Sequence, residues 1–258
     1  VETENAIVIR DLWKGYNGLQ VLKGLSFDIP RSKTVVILGR SGVGKSVLLR
    51  QILGIELPDK GYIEVNGKRI SSMNESQRYE AVKKMGMLFQ GAALFDSMNV
   101  GDNVAFYLRQ HMKSLSESEI RDMVADALAT VDLKDTESKM PSDLSGGMRK
   151  RAALARLIVY DPDIILYDEP TTGLDPITAG NINELILYTQ EKCNATSVVV
   201  THDLISALKI GDIIAFHSDG KIYYSAPKNI FMETDDPIIK PFLDSALLPE
   251  INWNKDRK

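Results

Sequence analysis

A single cysteine, Cys193, stands in 258 residues, so no intrachain disulfide can form and a free thiol in a reducing compartment is expected. No apolar run approaches the ~18 uninterrupted residues that a membrane-spanning helix requires. The strongest runs, VVIL and IILY, are the length of buried strands. Basic charge is not in excess either: 31 Lys and Arg face 35 Asp and Glu, a formal net charge of -4. That balance argues against a surface built on phosphate-backbone contacts, so no nucleic-acid partner is expected. The opening VETENAIVIR carries acids where a secretory signal is basic, and its apolar stretch is too short for one, so no signal segment is expected. Internal repeats and low-complexity linkers are missing as well. With 44% hydrophobic and 26% charged residues, what remains is a globular chain with ample core, enough for one large α/β domain or two small ones.

The runs AIVIR, VLKGLSFDI and YIEVN follow one another near the start and predict an antiparallel portion. TVVIL, DIILY, SVVVT and DIIAF read as core strands of a mainly parallel sheet, because helical patterns separate them. Between Asn99 and Tyr160 the pattern is helical, interrupted by a polar segment from Lys134 to Ser142. Within it, Ser116 and Glu119 form a capping box that opens a helix running to about Val131. Asp175-Pro176 predicts another helix start, with Ile182, Leu185 and Ile186 on one face. Strand character is expected to end at Tyr224, leaving a charged tail able to dock on a partner.

The chemistry is concentrated in three places. Gly39 to Ser46 fit G-x-x-x-x-G-K-S/T at every position, between the strand TVVIL and the helical run SVLLRQIL, which is the context a phosphate-binding loop needs. Glycines let successive backbone N–H groups face an anion, and the helix adds its positive end. Lys45 is placed to reach β- and γ-phosphates and the Ser46 hydroxyl to ligate Mg²⁺, so ATP or GTP is the expected ligand. IILYDE, residues 164–169, is an apolar strand ending in two acids. Asp168 suits a magnesium hydration shell, and Glu169 suits a general base, since adjacent buried carboxylates repel unless a metal or proton is shared. Ser145, Gly146 and Gly147 precede a helical run and offer a second anion site at its start.

Taken together these residues make the chain resemble an ABC-type (ATP-binding cassette) nucleotide-binding domain, with the landmarks in family order from about Ile7 to Ser225. Gly39 to Ser46 match the Walker A loop, Gln90 the Q-loop glutamine, Leu144 to Met148 the signature motif and Ile164 to Glu169 the Walker B strand. Gly173 to Asp175 match the D-loop and His202 the switch histidine; Met148 stands where many members have glutamine. Tyr16 stands where the family places a ring on adenine, although its position also suits a turn tyrosine in a β-ribbon. His111 and His217 have no such context and read as structural, as do Met85, Met87 and Met98. Arg149, Lys150 and Arg151 form a basic cluster that reads either as a solvated face or as facing phosphate across a dimer interface.

The resemblance implies an α/β P-loop NTPase of the ABC ATPase type: a mainly parallel sheet, an N-terminal antiparallel β-subdomain and a helical subdomain. One nucleotide-binding domain then spans 5–225, with the helical subdomain at about 91–160, and 226–258 form a C-terminal helical extension and tail. ATP and Mg²⁺ are the implied cofactors. Catalysis falls to Glu169, His202 and Lys45; nucleotide contacts to Tyr16, Gly39, Arg40, Ser41, Gly42, Val43, Gly44, Lys45, Ser46, Val47, Gln90, Ser145, Gly146 and Gly147; magnesium to Ser46, Gln90 and Asp168. Two copies would sandwich each ATP between the Walker A loop of one and Ser145 to Gly147 of the other.

A narrower resemblance, to the ATPase subunit of Mce/Mla-type lipid transporters, rests on Gly91 to Phe95, Met98 to Val100, Asp102 to Val104, Met140 to Ser142 and Met148 to Arg151. It implies phospholipid or related lipid transport at the inner membrane of a bacterial envelope, with the chain peripheral on the cytoplasmic face. Its partners would be a second copy, an integral membrane permease, an Mce-type lipid-binding protein and a small regulatory subunit. The competing expectations are a soluble ABC-type ATPase serving iron–sulfur cluster assembly and a nucleic-acid-associated ABC protein, the latter needing two cassettes or a long coiled coil.

Overall fold

The computed structural model describes residues 4–40 and 42–247. Ser41, a predicted phosphate-loop residue, and the predicted tail from residue 248 lie outside the described residues.

Strand β1 (Asn5–Tyr16) pairs antiparallel with β2 (Leu19–Pro30) and, on its other side, with residues 60–65. Ile7, Ile9 and Leu12 are all fully buried although 9 and 12 break the period of two. A register shift between Ile9 and Leu12, with Asp11 at φ 45°, supplies the bulge that keeps the apolar face inward. β3 (Thr34–Leu38) is buried along its whole length and runs into the glycine-rich loop and α1 (Lys45–Ile52). β4 (Lys60–Val65) and the short β5 (Lys68–Arg69) complete a four-stranded antiparallel sheet in the order β2-β1-β4-β5. Helix α2 (Glu75–Val82) leads to β6 (Met85–Leu88).

The predicted helical stretch resolves into α3 (Val100–His111), α4 (Glu117–Thr130) and α5 (Gly146–Ile158). The capping box is formed as expected: Ser116 N donates to Glu119 Oε2 at 2.8 Å and Glu119 N to Ser116 Oγ at 3.3 Å. β7 (Ile164–Asp168) is followed by α6 (Pro176–Cys193), whose start is capped by Asp175 accepting from Ile177 N and Thr178 N at 3.1 and 3.0 Å. Then come β8 (Thr196–Thr201), α7 (Leu204–Ile210), β9 (Ile213–Ser218), β10 (Lys221–Pro227), α8 (Lys228–Met232) and α9 (Lys240–Leu247). Strand character therefore persists past Tyr224. Ser225, Ala226 and Pro227 still pair with β9, and a proline is tolerated there because β10 is the sheet edge.

The second sheet runs β10-β9-β3-β8-β7-β6, parallel throughout except for β10. Its continuous apolar strands are covered on both faces, as parallel sheets require. Strand alternation divides the core in two. Val35, Ile37, Leu166 and Val198 point toward α1 and the antiparallel sheet, while Val36, Leu38, Ile165 and Val199 point toward the helices α3 to α7. Met85 and Met87 are core, as read from the sequence. Among the described residues, no helix is long and apolar enough to cross a membrane. The geometry that matters for function is that β3, β6, β7 and β8 all deliver their carboxyl ends to one side of the sheet, where α/β proteins bind ligands.

Candidate functional site

At those carboxyl ends lies a cavity of about 600 Å³ lined by Tyr16, Gly42, Gly44, Lys45, Ser46, Val47, Gln90, Glu169 and His202, with Val21, Arg50 and Thr172 beside them. Gly42 and Gly44 have φ 80° and 98°, conformations that L side chains rarely adopt. At Gly44 a Cβ would also fall 2.4 Å from Val21 Cγ1, so the loop can pass β2 only with glycine there. α1 then starts without a side-chain cap, leaving its first N–H groups to the cavity.

Lys45 Nζ donates to Gly39 O at 2.8 Å and Arg40 O at 2.9 Å, and lies 3.4 Å from Glu169 Oε1. Burial pushes this ammonium below its ordinary value, with the charges of Glu169 and Asp168 opposing. Ser46 Oγ donates to Asp168 Oδ1 at 2.8 Å. Burial raises the Asp168 carboxyl above the usual carboxylate range, against the hydrogen bond from Ser46 and with a further push from Glu169. Glu169 continues β7 with its N–H on Val200 O at 2.9 Å but turns at φ 48°, a left-handed backbone at a buried acid. Strain of this kind persists only where surrounding contacts over-determine it. They do: Glu169 Oε2 accepts from Thr172 Oγ1 at 3.1 Å and Thr201 Oγ1 at 3.4 Å and sits 2.8 Å from His202 Nδ1. Lysine, two acids and the histidine thus form one contiguous cluster.

Tyr16 stands at the mouth, 39% exposed, its hydroxyl donating to Glu56, which Arg50 Nε also grips at 2.7 Å. The hydroxyl is anchored while a ring face is left for contact. Gln90, just past β6, is exposed and also lines the cavity.

Not every expected residue meets the cavity. Arg40 and Val43 turn their side chains to a separate cavity with His217, Pro241 and Phe242, leaving Arg40 to this site only by its carbonyl. Gly39 likewise contributes a carbonyl. Ser145, Gly146 and Gly147 are not in the lining at all. Ser145 caps α5, accepting from Met148 N at 3.3 Å, and Gly147 packs so closely on α6 that a Cβ would fall 2.6 Å from Thr178 Cγ2. The basic cluster divides: Lys150 is 5% exposed and does not belong to a solvated face. Arg149 is exposed, Arg151 pairs with Asp132 at 3.1 Å, and Lys150 is buried on backbone carbonyls. His217 is buried with both ring nitrogens unpartnered, and burial lowers it to about 4, so it is a neutral core histidine.

The cavity fits a nucleoside triphosphate with its metal. It offers a cradle of backbone N–H groups and one buried ammonium for phosphates, and a hydroxyl–carboxylate pair for a cation. Among the described residues no group of three or more His, Cys, Asp or Glu side chains has metal-holding geometry. A magnesium ion here would take most of its ligands from phosphate and water, as is usual for that ion.

Residues 22–172 match the ABC transporter family, and the chain belongs to it: it is an ATP-binding cassette ATPase. A Mycobacterium leprae protein, described as a probable ribonucleotide transport ATP-binding protein, is 38% identical over 252 residues, 98% of this chain and 72% of that protein. The Escherichia coli intermembrane phospholipid transport system ATP-binding protein MlaF is 40% identical over 240 residues, 93% of this chain and 89% of MlaF. A solved dimeric ATP-binding cassette, in a post-hydrolysis state with ADP and Pi, superposes with a TM-score of 0.80 at 28% identity, covering 86% of this chain and 98% of that one.

Proposed function

We propose that the chain is the ATP-hydrolysing subunit of a lipid-type transporter, acting as a homodimer on the cytoplasmic side of a membrane beneath a separate permease. The observation that carries the cassette part of this reading is the half-built site. Walker A, Walker B and switch residues converge on one cavity, while Ser145 to Gly147 lie outside it at a helix start of their own. A second copy placed head to tail supplies the missing side, and a phosphoryl-transfer transition state needs charge stabilisation on several sides. The names of MlaF and of the solved dimer support the lipid cargo and the two-copy arrangement respectively.

Within that arrangement Lys45 and the loop N–H groups hold phosphates, Ser46, Asp168 and Gln90 hold magnesium, and Tyr16 stacks on the base. Glu169 accepts a proton from the attacking water, and His202 orients it and reads the terminal phosphate. The domain of 5–225, its helical part at 91–160 and the extension from 226 are read as one cassette with an appended C-terminal segment. Copurification tests cargo and partners together: the complex extracted in detergent should contain two copies of this chain, a polytopic permease, an Mce-type protein with a small regulatory subunit, and enriched phospholipid. A chain recovered without any membrane protein would overturn the transporter reading.

Ser145→Arg is expected to change ATP affinity of one chain by no more than the ~0.5 kcal/mol typical of a surface substitution, while abolishing ATP-dependent dimerisation. Calorimetry and light scattering check the two halves. Parallel losses in both would place Ser145 in its own chain's site.

Asp168→Asn gives an opposite pair of effects. A carboxyl whose folded value lies above its unfolded one stabilises the fold below the unfolded value, near 3.8. That contribution is lost as pH rises through the raised value, so at neutral pH the ionised group destabilises the empty fold. The amide removes the charge and still accepts from Ser46. The nucleotide-free melting temperature should rise by ~2–4 °C per kcal/mol recovered, while magnesium-dependent turnover is lost. A lowered melting temperature in calorimetry would contradict the assignment.

A further inference from the structure

Lys150 is 5% exposed and lies five residues into the helix that Ser145 caps, about 7.5 Å along its axis. Its ammonium donates to Pro170 O at 2.6 Å and Thr172 O at 2.9 Å and reaches Glu169 O at 3.5 Å. A lysine has three N–H donors and no acceptor, and here all three point at carbonyls of one turn. That turn is the one that leaves β7. Thr172 N closes it on Glu169 O at 3.2 Å, and the Thr172 hydroxyl holds the Glu169 carboxylate.

Filling the space cannot be the reason for the charge. A methionine or leucine would fill it without desolvating an ammonium, and replacing buried charges by apolar groups is often neutral or stabilising. Burial indeed pushes Lys150 below its ordinary value, opposed only by Glu169. What the ammonium does that methylene cannot is draw three carbonyl dipoles to one point, and so hold a turn whose first residue has a left-handed backbone. The neighbouring contacts run the same way: Gly146 lies against Leu174 and Gly147 against Thr178, so the start of α5 is seated on the segment following this turn.

We infer that Lys150 is a positioning residue for ATP hydrolysis, tying the signature helix to the turn that aims Glu169 into the cavity. The inference rests on reading Glu169 as the base. It gives Lys150, the middle residue of the basic run 149–151, a role apart from solvation. Because Ser145 caps the same helix, phosphate drawn to that cap from the partner's nucleotide bears on Glu169 of this chain through Lys150.

Lys150→Met keeps the stem and removes the donors. In the complex purified from membranes it should lower kcat about 10²-fold, the cost of a misplaced catalytic group. ATP affinity of the chain alone, by calorimetry, should stay within about twofold, equivalent to the ~0.5 kcal/mol of a remote substitution. In a Glu169→Gln background Lys150→Met should lower kcat no further, since residues acting as one unit are non-additive. If Lys150→Met does not fold by circular dichroism, Lys150→Gln, with two donors, is assayed the same way and should lower kcat by about 10-fold, less than the full cost of a misplaced group, with ATP affinity again within about twofold. Unchanged kcat, a loss that adds to that of Glu169→Gln, or a parallel fall in ATP affinity overturns the inference. Turnover by Glu169→Gln alone at the parental rate would instead remove the base assignment beneath it.

Discussion

Glu169→Gln is expected to bind ATP as the parent does and to hydrolyse it ~10² to 10⁴ times more slowly, the usual cost of losing a general base. The geometry explains why the two properties separate. The groups proposed to hold phosphate and magnesium, Lys45, the loop backbone and Ser46, are untouched, and the substituted amide fits most of the contacts the acid leaves. Its oxygen can face Lys45 Nζ, 3.4 Å from Glu169 Oε1, and its NH₂ can face His202 Nδ1, 2.8 Å from Oε2, with the imidazole in the tautomer that accepts there. The second N–H can face the Thr172 hydroxyl, which rotates to accept, and the longer contact from Thr201 at 3.4 Å is given up. What disappears is basicity and one long hydroxyl contact. The variant should accumulate as a closed ATP-bound dimer in the presence of its membrane partner, seen by size exclusion with ATP retained. Single-turnover rates within about threefold of the parent, far short of the general-base factor, would assign the proton to another group. Loss of binding as well would make the carboxylate part of the metal site.

The sequence carried the fold wherever local rules decide it. TVVIL, DIILY, SVVVT and DIIAF became the core strands because continuous β-branched runs between helices have no other place than a parallel sheet covered on both faces. Glycine spacing and the strand–loop–helix context were enough to locate the glycine-rich loop, and paired acids at a strand end were enough to bring Asp168 and Glu169 beside it. Other features depend on which way a side chain turns, which no spacing encodes. Val21 and Arg50 reach the cavity because β2 and α1 flank the loop, and Arg40 and Val43 leave it because the loop turns their side chains to the opposite side. Lys150 was the least legible. Flanked by Arg149 and Arg151 it has the signature of a solvated run, and only its place on the inner face of α5 separates it from them. A signal existed in the helical period: Gly147, Lys150 and Leu154 recur at spacings of three and four and share the buried face. Likewise strand character past Tyr224 comes from pairing with β9, a tertiary cause that local propensity does not contain.

Lys45→Ala should remove nucleotide binding nearly completely. The ammonium is 5% exposed, so its field toward the cavity is little screened, and burial already disfavours its charge in the empty site. Phosphate oxygens supply the counter-charge that the nucleotide-free fold provides only in part through Glu169, so binding relieves a cost carried by the empty protein. Two charge-assisted contacts at ~1.5–3 kcal/mol each amount to a loss of roughly 10² to 10⁴ in Kd. The substitution also leaves Glu169 without its cation and frees the carbonyls of Gly39 and Arg40, so a change in the loop itself must be separated from loss of the contact. Lys45→Arg separates them. It keeps the charge but brings a longer planar fork into a buried channel shaped for a point donor, and the two side chains are not interchangeable at such a site. It should bind ATP more weakly than the parent and more tightly than Lys45→Ala, with the melting temperature close to the parent's. If Lys45→Ala retained parental affinity by calorimetry while remaining folded, the cavity at the end of β3 would not be the phosphate site, and the roles of Ser46 and Asp168 would fall with it.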